Sequence, residues 1–358
     1  MRRAAPATSG NAEDARPYAP SWADRLIWWL EGLPIPTWLA FGLLTAGCFA
    51  YVMVLAILSE RVISTVGLRL AAISFLPVLS LSLMRHLNQV ASEALDRFSP
   101  LLKLSARAAD QLRRRVTTLP ERPVTFIVGV VIVATLFGAA TAPANFEIEG
   151  TSVVASLMLI SFASLVGSSY MLLTFQIVRQ LIMVESVHRQ ARRIDLFDTG
   201  PLYAFSRLTS QASLGLLALV ALLVATNPQF VTASSSQLVT ATAIGLYGGL
   251  GVAAIASFAL PLYGLHQRIA EEKERLQADA DARLKSLLGA LHEDASKLDL
   301  SRADGLNKLL GSALQEREVL ARLPTWPWQA TTLRGFMSAL LLPVAVYVLA
   351  RAAERVVL

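Results

Sequence analysis

The chain alternates between long apolar stretches and polar stretches that carry nearly all of its charged residues. A membrane-spanning helix needs about 20 consecutive apolar residues, because each residue advances a helix by only about 1.5 Å. The pattern therefore predicts an all-α polytopic membrane protein with seven transmembrane helices. The predicted spans are 37–58, 62–84, 124–142, 152–178, 208–226, 238–265 and 333–351. The first six form a predicted transmembrane bundle within residues 21–265, and the seventh is a separate C-terminal span.

The helical pattern continues past the predicted membrane boundary in several places. It runs on from the fourth span through Arg193, and from the sixth span through residues 266–298, where leucines recur among charged residues near the heptad period. Ser301 and Asp304 have capping-box spacing and predict the start of another helix. Residues 266–323 are accordingly predicted to form a helical or coiled-coil anchor in the cytoplasm, packed within one subunit or between subunits. Pro120 and Pro123 are predicted to break the helices of the 85–123 segment.

The N-terminal region has a different character. Residues 1–20 contain basic residues but no apolar run, so they predict a disordered polar tail rather than a signal peptide. Residues 21–34 have apolar residues at helical spacing and two adjacent tryptophans, Trp28 and Trp29. Indole rings favour the headgroup layer, so this segment predicts an interfacial helix.

The positions of the basic residues predict the orientation of the protein in the membrane. Charged residues make up 16% of the chain and apolar residues 54%, a charge deficit that favours lipid as the solvent. With the seven spans in place, all of the 32 Lys and Arg fall on one side except Arg61, Arg69, Arg351 and Arg355. The positive-inside rule then predicts an internal N-terminus and an external C-terminus. No eukaryotic targeting or glycosylation pattern is visible in the sequence, which favours a prokaryotic cytoplasmic membrane. With six spans the C-terminus would instead lie inside.

Catalytic and metal-binding signals are weak. Cys48 is the only cysteine and lies inside the first predicted span, and His86, His188, His266 and His292 are scattered. Serines in the spans have no acid or histidine nearby, and no phosphate-binding glycine motif occurs. The sequence therefore predicts no enzyme activity, no metal and no cofactor. The net charge of +6 is assigned to anionic lipid rather than to nucleic acid.

Two features inside the spans are candidates for packing or function. Gly245 and Gly249 form a GxxxG ridge, which lets another helix approach closely in lipid. Arg69 lies within the second span, where an arginine either serves a function or extends its side chain to the outer headgroups.

The order of elements resembles that of the insect odorant and gustatory receptor channels. The shared features are an internal N-terminus, seven spans, a sixth helix extended into the cytoplasm and a short cytoplasmic helix before the terminal span. The resemblance implies a tetramer held by a cytoplasmic anchor layer, with the terminal helix lining an ion pore. The aromatic–glutamine signature of that family has no counterpart in the final span, LRGFMSALLLPVAVYVLA, and the outer loops are short.

The leading hypothesis is an oligomeric, channel-like membrane protein whose partners are the lipid bilayer and further copies of itself. Its last helix would present one largely apolar face to a pore that gates by dewetting, formed by Ser338, Leu342, Ala345 and Leu349. One alternative is a membrane sensor or scaffold that signals through its cytoplasmic helices to a soluble cytoplasmic partner. Another is a small-molecule transporter, favoured by Pro77 and Pro343 if they break two helices.

Overall fold

A computed structural model describes residues 18–59, 63–102, 105–141, 151–190, 196–197, 200, 203–226, 237–296, 303–328, 330–341, 345 and 348. Within these ranges the protein is all-helical, and its only β pairing is an isolated bridge between Pro20 and Pro120. The helices there are α1 (Trp22–Glu31), α2 (Thr37–Leu58), α3 (Ile63–Leu102), α4 (Ala106–Thr117), α5 (Glu121–Thr141), α6 (Val153–Gln190), α7 (Ala204–Thr226), α8 (Gln237–Ser296), α9 (Ala303–Arg322) and α10 (Ala330–Ala339).

Four segments in the described ranges are long and apolar enough to cross a membrane. They are Thr37–Leu58, Glu121–Thr141, Val153–Val187 and Ala204–Leu222, which correspond to α2, α5, most of α6 and most of α7. These segments make the protein compatible with a place in a membrane. The predicted all-helical fold is confirmed, whereas the predicted number of seven spans is not.

Three helices are far longer than a membrane is thick. At about 1.5 Å per residue, α3 with 40 residues, α6 with 38 and α8 with 60 extend over about 60, 57 and 90 Å, against about 30 Å of hydrocarbon. Helix α3 continues through Pro77, and α8 continues through Pro261. The expectation that Pro77 interrupts a helix is therefore wrong.

Helices α3 and α7 lie at the centre of the bundle. Helix α3 packs against α2, α6 and α7, and α7 also packs against α8 and α10, while α5 packs mainly against α6. The buried core is richest at one end, where the last turns of α3 and α6 meet the first turns of α7. Helices α1 and α4 and several ion pairs surround the core there, so we call this end of the bundle the charged end.

The turn between α4 and α5 shows how the prolines act. Thr118 and Leu119 are extended or irregular, and α5 begins at Glu121, directly after Pro120. Pro123 lies within the first turn of α5, where its missing N–H has no intrahelical partner to lose. Only Pro120 thus stands at a helix boundary; the predicted break at Pro123 is wrong.

Helices α8 and α9 form an antiparallel hairpin. Arg317 is paired with Asp281 at 2.9 Å, and Arg283 with Glu316 at 3.4 Å. Lys273 Nζ donates to the carbonyl of Leu323 at 2.7 Å, which caps the C-terminal end of α9. Of the two alternatives for the heptad-like run in the predicted anchor, packing within one subunit is the one seen here.

A turn interrupts the predicted terminal span. Helix α10 ends at Ala339 and a turn follows at Leu340 and Leu341, but Ala345 and Val348 are again helical, and Ala345 N–H donates to Leu341 O at 2.9 Å. Pro343 supplies a reason, because proline cannot donate to the carbonyl four residues earlier and clashes with it. Most of the predicted 333–351 span beyond Leu341 lies outside the described residues, as does the predicted tail before Tyr18.

Candidate functional site: the charged junction and the aromatic ladder

The N-terminal segment is joined to the α4–α5 turn by backbone hydrogen bonds. Ser21 N–H donates to Leu119 O at 3.0 Å, and Glu121 N–H donates to Ala19 O at 3.1 Å. These bonds satisfy backbone groups that would otherwise be orphaned at a helix start and in a turn. We call the surrounding polar cluster the charged junction; its side chains are Tyr18, Ser21, Asp24, Asn88, Gln176, Arg179 and Gln180.

Asp24 connects α1 to the α4–α5 turn. Ser21 caps α1 by accepting from Asp24 N–H at 3.2 Å, and its hydroxyl donates back to Asp24 Oδ2 at 2.7 Å. The same carboxylate oxygen accepts from Leu119 N–H at 2.9 Å. Asp24 is only 1% exposed, and this burial raises the pKa of its carboxyl, although the hydrogen bonds that the carboxylate accepts from the Ser21 hydroxyl and from Leu119 N–H act in the opposite direction. Asp24 belongs to the helix that was predicted to lie in the headgroup layer. In the structure its side chain is buried and links α1 to the α4–α5 turn.

Tyr18 and Arg179 bring α6 into the same junction. The Tyr18 hydroxyl donates to Thr118 O at 2.8 Å, while Arg179 donates both to Tyr18 Oη and to Thr118 O. The guanidinium also lies 5.3 Å from the centre of the Tyr18 ring. Burial raises the pKa of the Tyr18 phenol, and the charge of Arg179 opposes this shift. A basic residue of α6 therefore holds the N-terminal segment in place.

Three amide side chains of the charged junction connect α3 and α6. Gln176 and Gln180, which are 2% and 1% exposed, each donate to Asn88 Oδ1, at 2.8 and 2.9 Å. Gln176 also donates to Met84 O at 3.0 Å, and Gln180 to Val116 O at 3.2 Å. Hydrogen bonds between helices are worth about 0.6 kcal/mol each in lipid and fix the register of the pair.

A second feature is a ladder of stacked rings formed by His266, Trp326, Trp328, Phe258 and Phe336. Along this order, successive ring centres are 3.8, 4.5, 4.8 and 4.1 Å apart, with interplanar angles of 7° to 21°. His266 Nδ1 is also 3.0 Å from Thr325 O. Each aromatic pair contributes about 0.5–1.5 kcal/mol beyond its burial. This aromatic ladder joins α8 and the segment after α9 to the terminal helix α10.

The polar side chains of these two features already make contacts within the protein. The junction contains hydrogen-bonded amides, the hydrogen-bonded Asp24 carboxylate and the engaged guanidinium of Arg179, while the ladder contains one imidazole, which is stacked on the Trp326 ring. In the described ranges, no group of three or more His, Cys, Asp and Glu side chains could hold a metal ion.

The predicted pore face has two members in the described residues. Ser338 is exposed on α10 and donates to Arg334 O at 3.0 Å, and Ala345 is exposed as well. Phe336, which is 3% exposed, lies about 200° around the helix from Ser338 and packs into the bundle. Leu342 and Leu349 lie outside the described residues.

The other predicted residues lie on long helices. Gly245 and Gly249 both belong to α8, Gly249 is exposed, and no described atom lies within 4 Å of the position that a Cβ would take there. The GxxxG ridge therefore meets no other helix at Gly249 within the described part of the subunit. Arg69 lies on α3, but its side chain is outside the described residues.

The residues that hold the charged junction together were not among those predicted from the sequence. Gln176 and Gln180 stand four residues apart on one face of α6, a spacing that could have indicated a polar contact with another helix. Tyr18 had been placed in the disordered tail, and nothing local distinguishes it. Trp326 and Trp328, which stack on His266 and Phe258, were likewise not assigned these partners from the sequence.

Comparisons with family models, with curated proteins and with solved structures found no match to this chain.

Proposed function

We propose that the protein is an oligomeric, channel-like integral membrane protein of the cytoplasmic membrane. The charged end and the α8–α9 hairpin face the cytoplasm in this proposal, because the positive-inside rule places the side rich in Lys and Arg there. Subunits associate around an axis, and the terminal segment lines the pore with the face that contains Ser338 and Ala345.

The observation that carries the proposal is the two-sided character of the terminal segment. Phe336 holds one side of α10 in the bundle through its stack on Phe258, at 4.1 Å between ring centres. On the opposite side Ser338 is exposed, and further along the chain Ala345 is exposed too. A helix with one anchored side and one free side suits a position between a subunit body and a shared axis.

Two further features support the proposal, one for assembly and one for gating. Gly249 and Val252 are exposed on the membrane half of α8, and Val252 is 66% exposed, so a small-residue surface is free to meet another helix. The aromatic ladder gives a continuous contact from the hairpin to α10. Movement at the hairpin would therefore be transmitted to the proposed pore helix.

The first experiment is the native mass of the full-length protein in lipid nanodiscs, followed by ion flux in liposomes. We expect a discrete oligomer. Ser338→Arg should then reduce flux at least tenfold without changing that mass, because a charge in a narrow apolar pore repels ions of like sign. Met337→Arg is the matched control, since Met337 is exposed on the neighbouring face of α10. A monomer, or flux equally insensitive to both substitutions, would show that the pore assignment is wrong.

A scaffold that binds a soluble cytoplasmic protein is the second candidate, and the surface of the hairpin favours it. Leu309 and Leu314 of α9 are 56% and 49% exposed on a helix pair that the proposed topology places in water. Leu309→Glu separates the two functions when compared with Ser312→Glu, which adds the same charge at an exposed polar position. A channel anchor would lose its oligomeric mass in the leucine variant only. A scaffold would keep its mass and lose its partner.

A further inference from the structure

A cleft lies between α1 and α4 at the charged end. It has a volume of about 250 Å³, and its walls include Tyr18, Trp28, Arg113, Arg114 and Thr117. We call it the α1–α4 cleft. It accommodates a group the size of a lipid headgroup, being smaller than the pockets that bind drug-sized ligands.

The cleft lies at the level of the bundle where the apolar helices begin. Pro20 and Thr118 also line it, and Thr118 stands only three residues before Glu121, where α5, one of the most apolar helices of the protein, begins. Trp28, at the end of α1, is 49% exposed, and α2 begins only a few residues further along the chain. Exposed tryptophan beside the ends of apolar helices is typical of the headgroup layer.

The charge of the cleft is suited to an anion. Arg113 and Arg114 both line it; the Arg113 side chain is paired with Asp96 of α3, whereas the Arg114 side chain has no ion-pair or hydrogen-bond partner in the described part of the chain. Arginine presents several N–H donors in a planar fork that matches the oxygens of a phosphate. Arg114 is therefore positioned to supply a donor to a bound phosphate.

The end of α4 would ordinarily oppose an anion, because its last carbonyls carry partial negative charge. Here those carbonyls are occupied. Thr117 Oγ1 donates to Arg113 O at 2.9 Å, Thr118 N–H donates to Arg114 O at 3.0 Å, and the Tyr18 hydroxyl approaches Arg115 O at 3.3 Å. The internal bonds of the junction thus remove much of the repulsion and leave the arginine side chains to determine the charge of the cleft.

We propose that the α1–α4 cleft binds the phosphate group of an anionic phospholipid headgroup. The proposal rests on the membrane placement given in the proposed function and not on ion conduction. A free phosphate ester has the same chemistry, but the level of the cleft beside Trp28 and the start of α5 favours the lipid as its source.

The test uses the full chain in phosphatidylcholine nanodiscs that contain phosphatidylglycerol, with lipid retention followed by native mass spectrometry after partial delipidation. The variants are Arg114→Gln and Arg107→Gln; both residues are exposed on α4, but only Arg114 lines the cleft. Arg107→Gln should weaken retention by no more than about fivefold, the general effect of one basic residue near an anionic surface. Arg114→Gln should weaken it at least about tenfold, because a charge-assisted hydrogen bond is lost as well.

Equal retention in the two variants would show that only non-specific charge acts, and the site would be rejected. Thermal unfolding without phosphatidylglycerol checks folding, and both variants should match the parent because both arginines are exposed. Inorganic phosphate and glycerol 3-phosphate are the soluble competitors. Failure of either to displace the lipid supports a lipid headgroup, whereas displacement by both would overturn the lipid as the source. The oligomeric mass, measured on the same samples, reports separately on the channel proposal.

Discussion

Helices α5 and α7 are both of membrane-spanning length, yet α5 is largely exposed and α7 is largely buried. In the most apolar 18-residue stretch of α5 the mean hydropathy is 2.3 and 11% of residues are buried, whereas in α7 the values are 1.3 and 72%. The more apolar helix is therefore the more exposed one. In water the reverse is expected, because the hydrophobic effect buries the most apolar surface.

The side chains of the two helices explain the difference. Helix α5 exposes Phe126, Val133 and Phe137 and has few polar groups, while α7 buries Ser206, Thr209, Ser210 and Ser213 among its leucines. In lipid, apolar side chains gain nothing by leaving the solvent, and hydroxyl groups gain by finding partners inside the protein. Ser213 Oγ lies 2.7 Å from Ser257 Oγ of α8, which is such a partner. The contrast teaches that the packing of α5 and α7 is the one expected in a nonpolar solvent rather than in water.

The largest expected effect comes from adding a charge to the exposed face of α5. Val133 is 66% exposed, and Val133→Arg should lower the stability of the inserted protein by about 3 kcal/mol, because an arginine at the centre of the bilayer is costly. Val319→Arg is the matched control, since Val319 is 47% exposed on the α9 hairpin. The measurement is the yield of folded protein in the membrane fraction. Equal yields for the two variants would mean that α5 faces water.

A smaller effect is expected from truncating one leucine in each helix. Leu208 of α7 is completely buried, so Leu208→Ala should destabilise the protein by about 2–3 kcal/mol through the cavity that it leaves. Leu136 of α5 is 49% exposed, and Leu136→Ala should cost less than about 0.5 kcal/mol. Thermal unfolding in nanodiscs measures both. A similar cost at the two positions would remove the proposed difference in environment.

Variants of Asp24 test a buried polar side chain at the charged end. Asp24→Ala should destabilise the protein by about 1–2 kcal/mol, because Leu119 N–H is left without its acceptor. Asp24→Asn keeps an oxygen acceptor and removes the titration. The pKa of Asp24 is raised in the folded state, so its favourable contribution is present below the unfolded pKa and is lost as pH rises through the folded pKa.

The Asn variant should consequently gain in melting temperature relative to the parent as pH rises from the ordinary range of an aspartate towards neutrality. Melting curves of the parent, Asp24→Asn and Asp24→Ala over that range test this expectation. A difference between parent and Asn variant that is constant with pH would contradict the raised pKa.

The smallest effect concerns single hydroxyl groups in the two helices. Ser213→Ala removes the interhelical bond to Ser257 and should cost about 0.6 kcal/mol. Thr135 of α5 donates only to Val131 O of its own helix, so Thr135→Val should be nearly neutral. Thermal unfolding again measures the stability of both variants. A larger loss of stability for Thr135→Val than for Ser213→Ala would contradict the proposed difference between the exposed α5 and the buried α7.

The helices themselves could largely be predicted from the sequence. The predicted span 37–58 has the same bounds as α2, and the predicted continuation of the fourth and sixth spans is seen in α6 and α8. Such features are local, because an apolar run and its helical period depend on neighbours a few residues apart. In the predicted terminal span a turn follows Ala339, and the described residues beyond it, Ala345 and Val348, are helical.

The candidate site could be predicted only in fragments. The helix of residues 21–34 was predicted from its own pattern, but the partners that define its role are distant in sequence. Asp24 contacts Leu119, and Gln180 contacts Asn88. These pairings depend on how α1, α3 and α6 cross, and no local pattern specifies a crossing.

The sequence by itself determined that this protein is helical, which stretches are apolar enough to lie in a membrane, and where its positive charge is concentrated. These properties follow from residue type and periodicity. The tertiary structure decided which apolar helices are enclosed and which face outward, how Asp24 and Arg179 fasten the N-terminal segment, and how five rings stack between α8 and α10. Those outcomes require side chains from distant segments to meet, and their energies exist only once the helices have packed.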